Sequence, residues 1–337
     1  MFVAGAEPRT PDVRAEGLRV PELRGALRFW QRATSGSLSL ADLRDAGGRL
    51  FGDTHRGRTL RLVTHWLSDK ASVTAHPRMN DHDPHPTIRQ SIRKQAVPAE
   101  TCFHLTVETY RPPSAQDAGW LRALGLLDAL GGVGGRTRRG CGSLAVARLP
   151  DGYDTLADVH GWPRVLGYPP FVPSPDQNLP AHVEAHIGAL LNEPRREPAN
   201  GARHSILARP SARLFVITPQ PTNDTPSGVW RNWTKAMDAL RTGFYRPFKT
   251  HLGRSAIGEA KPRLASPLLL QIKSCAVRGK DGADQGEAIF GLALVFRHDR
   301  SDPHLRNGPH DLDNFLATLP GASRLNAQEI HPWPTGT

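Results

Sequence analysis

Gly131-Gly-Val-Gly-Gly-Arg136-Thr-Arg138-Arg139-Gly-Cys-Gly142-Ser143 is the most informative stretch of this sequence. We call it the glycine-rich loop. Its thirteen residues include six glycines and three arginines. Glycine permits positive φ and close approach to the backbone, and arginine presents paired donors to phosphate oxygens. A tight helix-to-strand connection would need only one or two glycines. A loop that is both bare and basic therefore predicts contact with a polyanion.

The surroundings of the glycine-rich loop exclude two common nucleotide sites. A P-loop has Lys and then Ser or Thr after its last glycine, and a helix follows directly. Here Arg138-Arg139-Gly140 leads into a predicted strand. A dinucleotide fingerprint follows a strand and opens a helix, whereas Gly132-Val-Gly134 has a predicted helix before it and a predicted strand after it. A phosphodiester chain is the best remaining ligand.

The composition agrees with a cytoplasmic polyanion binder. The chain has 337 residues, enough for two domains, and a formal net charge of +11, which favours phosphates as partners. Its three cysteines suit a reducing compartment and exclude a disulfide framework. The sequence shows neither a signal peptide nor an apolar run long enough for a membrane span, so no membrane partner is expected. No motif predicts a cofactor.

The order of predicted elements gives an α+β fold. In the first unit we expect a strand near 2–4, a helix at 22–33, strands at 59–66 and 101–110, a helix at 118–130 and a strand at 144–149. In the second we expect a strand at 213–218, a helix at 229–240, strands at 268–277 and 288–296, and a helix at 311–319. The first unit has the order βαββαβ, and the second repeats it as βαββα with no last strand placed. This predicts two tandem ferredoxin-like (RRM-like) domains with long loops. The predicted boundaries are 1–150 for the N-terminal domain, 151–210 for a linker and surface insertion, and 211–337 for the C-terminal domain.

The first predicted helix carries a row of arginines next to its apolar face. Leucine and tryptophan at three- and four-residue spacing form that face, and Arg24, Arg28 and Arg32 follow one another at four-residue spacing beside it. We call these three arginines the basic stripe. A solvated helix face would also explain them, but no acidic residue stands at i+4 to relieve their repulsion.

Catalytic residues are less well indicated. Metal-free RNA cleavage needs a general acid and base, typically histidine, and His55, His65 and His104 are candidates by position. Asp53 has no partner carboxylate in its turn. Residues 68–98 are predicted to form a long basic loop, and its histidines lack metal-site spacing, so no metal is expected.

These features together resemble the RAMP superfamily of CRISPR proteins, whose hallmark is a glycine-rich loop after the second helix of a ferredoxin-like fold. The arginine-rich helix at 22–33 is similar to the first helix of the subunit-one family of the type III-B Cmr effector complex. Leu50-Phe51-Gly52 matches that family's Phe-Gly element, and the segment at 263–268 resembles one before a strand of its second domain. Two departures are Gln31 and Cys141, at positions that are usually apolar.

The resemblance implies a non-catalytic RNA-binding subunit of a guide-RNA complex with other RAMP subunits as partners. Such a subunit contacts the 3′ region of the guide RNA and the 5′ side of the target RNA. The alternative is a RAMP-type metal-independent endoribonuclease that processes guide precursors with His55 and His104. The residues expected to contact RNA are Arg24, Arg28, Arg32, Arg56, Gly132, Gly134, Gly135, Arg136, Arg138 and Arg139.

Overall fold

The protein was analysed as a computed structural model. The structure describes residues 18–35, 39–53, 57, 59–66, 74–75, 95–96, 103–110, 119–134, 137, 140, 142–144, 179–191, 207, 212–220, 229–245, 268–278, 284–296 and 325–333. Its N-terminal elements are α1 Val20–Thr34, α2 Leu40–Phe51, β1 Leu60–Trp66, β2 Thr74–Ala75, β3 Gln95–Ala96, β4 Phe103–Thr109, α3 Gly119–Leu130 and α4 Leu179–Leu190. The C-terminal elements are β5 Ala212–Pro219, α5 Trp233–Leu240, β6 Leu268–Arg278, β7 Asp284–Phe296 and β8 Leu325–Ile330.

The helices of the N-terminal part begin where local chemistry favours them. In α1, Pro21 stands in the first turn, and the predicted apolar face is buried. The sequence analysis did not predict α2. It begins at Ser39, whose side chain accepts from the backbone N–H of Asp42, while the Asp42 carboxylate accepts from the N–H of Ser39. This capping box satisfies donors that would otherwise have no partner at the start of the helix.

Two of the predicted N-terminal strands form an antiparallel pair. β1 and β4 run in register from Leu60 opposite Thr109 to Trp66 opposite Phe103. Leu60 and Leu62 are buried on one side, as alternation requires. Within the predicted loop 68–98, β2 and β3 form a pair of two residues each. The strand expected near 2–4 lies outside the described residues, as does 145–149 of the expected strand 144–149.

The C-terminal part contains a four-stranded antiparallel sheet in the order β6-β7-β5-β8. The strands β5 and β6, which α5 connects, are separated by β7, and this is the split-βαβ arrangement of a ferredoxin-like domain. β8 completes a sheet whose last strand the sequence did not place. The helix expected at 311–319 lies outside the described residues.

One expected helix begins later than its residue pattern indicated. The segment 229–240 becomes helical only at Trp233, where Asn232 Oδ1 accepts from the N–H of Lys235 (3.0 Å) and caps α5. Trp230, expected on that helix, instead bridges to Ile289 through two backbone hydrogen bonds of 3.0 and 2.8 Å. A single turn of π-helix, Arg241–Tyr245, follows α5.

Both faces of β5, β6 and β7 contribute to the hydrophobic core, whereas the edge strand β8 also has exposed residues. One face packs against α5, and the other joins a core formed with α1, α3 and α4. Phe29 of α1 and Phe296 of β7 make an edge-to-face contact with ring centroids 6.0 Å apart. The predicted linker and surface insertion contains α4, whose Val183 and Ile187 are buried in this core. The N-terminal helices and the C-terminal sheet therefore share one hydrophobic core.

Candidate nucleic-acid interface

The basic stripe has two kinds of environment. Arg28 donates to the carbonyl of Gly52, and its guanidinium lies 5.7 Å from the ring centroid of Phe51. Arg32 is exposed, and its Nε donates to the carbonyl of Arg28 (3.2 Å). Arg28 thus joins α1 to the end of α2, whereas the side chain of Arg32 is accessible to an anionic partner.

The Phe-Gly element brings three N-terminal elements together. Gly52 ends α2 with φ of 78°, a conformation that favours glycine. The N–H of Thr59 donates to the carbonyl of Arg49 (3.1 Å), and the N–H of Tyr110 donates to the carbonyl of Thr59 (3.1 Å). The end of α2, the start of β1 and the end of β4 therefore meet at the Phe-Gly element.

The glycine-rich loop begins against α1. The N–H of Gly131 donates to the carbonyl of Leu127 at the end of α3 (3.0 Å). A Cβ atom at Gly131 would lie 2.6 Å from Nε1 of Trp30 in α1. The absence of a side chain at Gly131 therefore allows α3 to end in contact with α1, the helix of the basic stripe.

The two ends of the glycine-rich loop are joined by backbone contacts. Gly132 bridges to Ser143, and the N–H of Val133 donates to the carbonyl of Gly142 (2.9 Å). The φ angles of Gly134, Gly140 and Gly142 are 83°, 82° and 71°. These values lie in the region that side chains disfavour, so the chain reversal depends on glycine at these positions.

The loop is bonded to the C-terminal sheet along β6. The N–H of Gly140 donates to the carbonyl of Leu270 (2.7 Å), and the N–H of Ile272 donates to Oγ of Ser143 (3.2 Å). The side chain of Gln271 makes two further bonds, each of 2.6 Å: its Oε1 accepts from Ser143 Oγ, and its Nε2 donates to the carbonyl of Thr137.

A buried lysine joins both flanks of the loop to β6. Lys273 is 2% exposed, and its Nζ donates to the carbonyl of Asp128 in α3 and to that of Leu144 (2.8 Å). Burial lowers the pKa of Lys273 to about 8, and Asp128 opposes the change. Burial likewise lowers the pKa of His186 in α4 to about 4, with Asp128 raising it and Lys273 lowering it. At neutral pH, Lys273 is therefore mostly charged and His186 neutral.

The structure describes half of the residues that were expected to contact RNA. Arg24, Arg28 and Arg32 lie along α1, and Gly132 and Gly134 lie at the base of the glycine-rich loop. A Cβ atom at Gly132 would lie 2.7 Å from the carbonyl oxygen of Gly142. The backbone contact with Gly142 therefore already explains why this position has no side chain. Outside the described residues lie Arg56, Gly135, Arg136, Arg138 and Arg139. For all ten, RNA contact stays a prediction.

The histidines of the alternative function are only partly placed. His104 is exposed on β4 and stands opposite His65 of β1, also exposed, on the face where Arg61 pairs with Glu108 (3.0 Å). His55 lies outside the described residues. Across the described ranges, no three His, Cys, Asp or Glu side chains gather as a metal site. Nor does the described part of the chain contain a helix long and apolar enough to cross a membrane.

The polar residues of β6 were missed by the sequence analysis. The strand was predicted at 268–277, and Gln271 and Lys273 were not considered as site residues. Their positions could have been noticed in the sequence. Gln271 and Lys273 are two residues apart, so they lie on the same face of a strand whose other residues indicate burial on both faces. Two polar residues on such a face indicate a polar partner inside the fold.

The glycine-rich loop follows the helix α3 in an α+β fold with antiparallel sheets. Residues 18–145, from the start of α1 to the exit of the glycine-rich loop, match the family model of the RAMP superfamily. The predicted resemblance is therefore confirmed for this part of the chain.

A solved structure extends the likeness to the rest of the chain. The protein is similar to Cmr1 from Pyrococcus furiosus in its apo crystal form, with a TM-score of 0.54 and 17% sequence identity. The match covers 96% of this chain and 94% of that one. At this identity the likeness is one of fold, and the predicted α+β fold class is confirmed. Comparison of sequences with curated proteins gives no match.

Proposed function

We propose that this chain is a non-catalytic RNA-binding subunit of a type III-B CRISPR (Cmr) ribonucleoprotein effector complex in antiviral defence. It contacts the 3′ region of the guide RNA and the 5′ side of the target RNA, and other RAMP subunits are its protein partners. The RAMP match, the fold shared with Cmr1 and the net charge of +11 support this proposal.

The observation that carries the proposal is the anchoring of the glycine-rich loop. The carbonyl of Thr137 and the N–H of Gly140 are both bonded to β6. In the sequence, Arg136 and Arg138 flank Thr137, and Arg139 precedes Gly140. Each of the three arginines is therefore next in sequence to a residue whose backbone is bonded to β6. We expect arginines in this position to neutralise successive phosphates of a single-stranded RNA.

The test replaces Arg136, Arg138 and Arg139 together by Ala and measures binding to a labelled guide-repeat RNA at several salt concentrations. We expect weaker binding and a slope of log K against log salt that is smaller by up to about 2, because each phosphate contact with a single strand contributes about 0.7. A matched control replaces the exposed cations Arg61, Arg231 and Lys235 by Ala and removes the same charge elsewhere. Equal losses in the two variants would contradict a specific role for the loop.

The same wild-type incubation without divalent metal tests the non-catalytic role. We expect the RNA to be bound and to remain intact. Cleavage that disappears in the His104→Ala variant would instead favour the endoribonuclease. The structural reason to test it is that His65 and His104 are exposed opposite each other.

A further inference from the structure

β6 is the outermost strand of the C-terminal sheet, and the glycine-rich loop covers its free edge. An edge strand presents backbone groups that no neighbouring strand satisfies. Here the carbonyl of Leu270 accepts from Gly140, and the N–H of Ile272 donates to Ser143. The loop therefore satisfies these two backbone groups of the edge without adding a regular strand. In return, the sheet gives the loop a rigid surface to pack on.

Gln271 makes side-chain contacts with the glycine-rich loop at widely separated points. It is 1% exposed, and its amide bonds Ser143 and the carbonyl of Thr137. Its Oε1 is also close to Gly132, where a Cβ atom would lie 3.2 Å away. One amide thus bonds the middle and the end of the loop.

Core stability alone does not call for glutamine at this position. Burying an amide removes its hydrogen bonds to water, and only well-placed hydrogen bonds within the protein offset this cost. An apolar side chain of similar size needs no such bonds. The same face of β6 carries buried Leu269 and Cys275. The feature that distinguishes Gln271 from these neighbours is its pair of hydrogen bonds to the loop.

We propose that Gln271 is a positioning residue for RNA binding: from the C-terminal sheet it holds the carbonyl of Thr137 and the hydroxyl of Ser143, so that the glycine-rich loop is ordered before RNA arrives. This inference rests on the proposed function. A loop ordered in advance binds more tightly because it loses less conformational freedom on binding. Gln271 carries no charge. Its replacement should therefore lower the affinity for RNA without changing the salt dependence of binding.

The test compares Gln271→Met, which keeps an unbranched side chain of similar length, with Gln328→Met on the opposite edge strand β8, where the glutamine is exposed. Full-length variants are titrated with the labelled guide-repeat RNA at several salt concentrations. For Gln271→Met we expect binding about tenfold weaker with an unchanged salt slope, because the arginines remain. Gln328→Met should match the wild type. Unchanged affinity in a folded Gln271→Met variant would overturn the proposal, as would a salt slope reduced in proportion.

Limited trypsin digestion supplies a readout that needs no RNA. In the free protein, Gln271→Met should speed cleavage after Arg136, Arg138 and Arg139 several-fold, while sites elsewhere keep their rates. If Gln271→Met does not fold, Ser143→Ala removes one of the two bonds of Gln271, together with the bond that Ser143 Oγ accepts from Ile272, and is judged by the same criteria. If the wild type binds no RNA, the proposed function fails, and an unchanged tryptic rate would show separately that Gln271 does not order the loop.

Discussion

At the scale of single residues, the interface between the glycine-rich loop and β6 depends on buried polar side chains that each have backbone partners. Lys273 bonds two carbonyls, and Gln271 bonds a carbonyl and a hydroxyl. Breaking such a bond leaves a buried group without a partner, which costs about 1–3 kcal/mol. These residues therefore contribute to fixing the position of the loop against β6.

His186 provides a prediction for the pH dependence of stability. Its pKa is lowered from 6.5 to about 4 in the folded protein, chiefly by burial, so between these pH values only the unfolded chain binds the proton. Stability is complete above pH 6.5 and is lost as the pH falls towards 4, by up to about 3 kcal/mol from this group. We expect urea unfolding of His186→Gln to lose less stability over this range than the wild type.

The matched control for this prediction is His104→Gln, since His104 is exposed. Its loss of stability on acidification should follow that of the wild type. Parallel curves for His186→Gln and the wild type between pH 6.5 and 4 would show that His186 is not a source of acid sensitivity.

At the scale of elements, glycines of this chain have opposite roles in α1 and in the glycine-rich loop. Gly25 is exposed within α1, and a Cβ atom there would meet nothing within 4 Å. Gly132 stands where a Cβ atom would lie 2.7 Å from a backbone oxygen of Gly142. The first glycine weakens its helix, whereas the second permits a close backbone contact.

The pair Gly25→Ala and Gly132→Ala tests this difference with one chemical change. Gly25→Ala should raise the free energy of unfolding by about 0.5–1 kcal/mol, because alanine favours the helix. Gly132→Ala should lower it by about 1–3 kcal/mol, because the bridge to Ser143 must open. Urea denaturation of both variants measures the two effects, and an equal sign for both would refute the assignment.

Elements whose boundaries depend on local patterns could be predicted well. β1 and β4 follow from alternation, and α1 from three- and four-residue spacing with proline in the first turn. α2 could have been found from its Ser39-to-Asp42 capping box. The late start of α5 also has a local signal, since Asn232 is its N-cap. The bonds of Trp230 with Ile289 have none, because they join segments that are distant in the sequence.

At the scale of the whole molecule, the two halves do not have separate cores. Buried residues of α1, α3 and α4 pack with one face of the C-terminal sheet, and the N–H of Leu207 donates to the carbonyl of Ala33 (2.9 Å). The glycine-rich loop adds polar bonds between the same two parts. We therefore expect the described elements to unfold as one cooperative unit.

Phe296→Ala tests this expectation, because Phe296 is buried in β7 and contacts Phe29 of α1. The substitution should cost about 3–5 kcal/mol. Hydrogen-exchange mass spectrometry should show faster exchange in α1 and α3 as well as in the C-terminal sheet. Faster exchange confined to 212–333 would show that the halves unfold independently, and Lys235→Ala, at an exposed site of α5, serves as the control.

The sequence by itself determined the α+β class, most of the described strands and the polycationic character of the glycine-rich loop, because these depend on local periodicity, composition and charge. Only the tertiary structure decided that the loop lies against the edge of β6 and that Gln271 and Lys273 are its partners. The bonds from Gln271 to Thr137 and Ser143 span more than 120 residues, with separations of 134 and 128. No local pattern specifies such a pairing, since it arises when two distant segments are packed into one core.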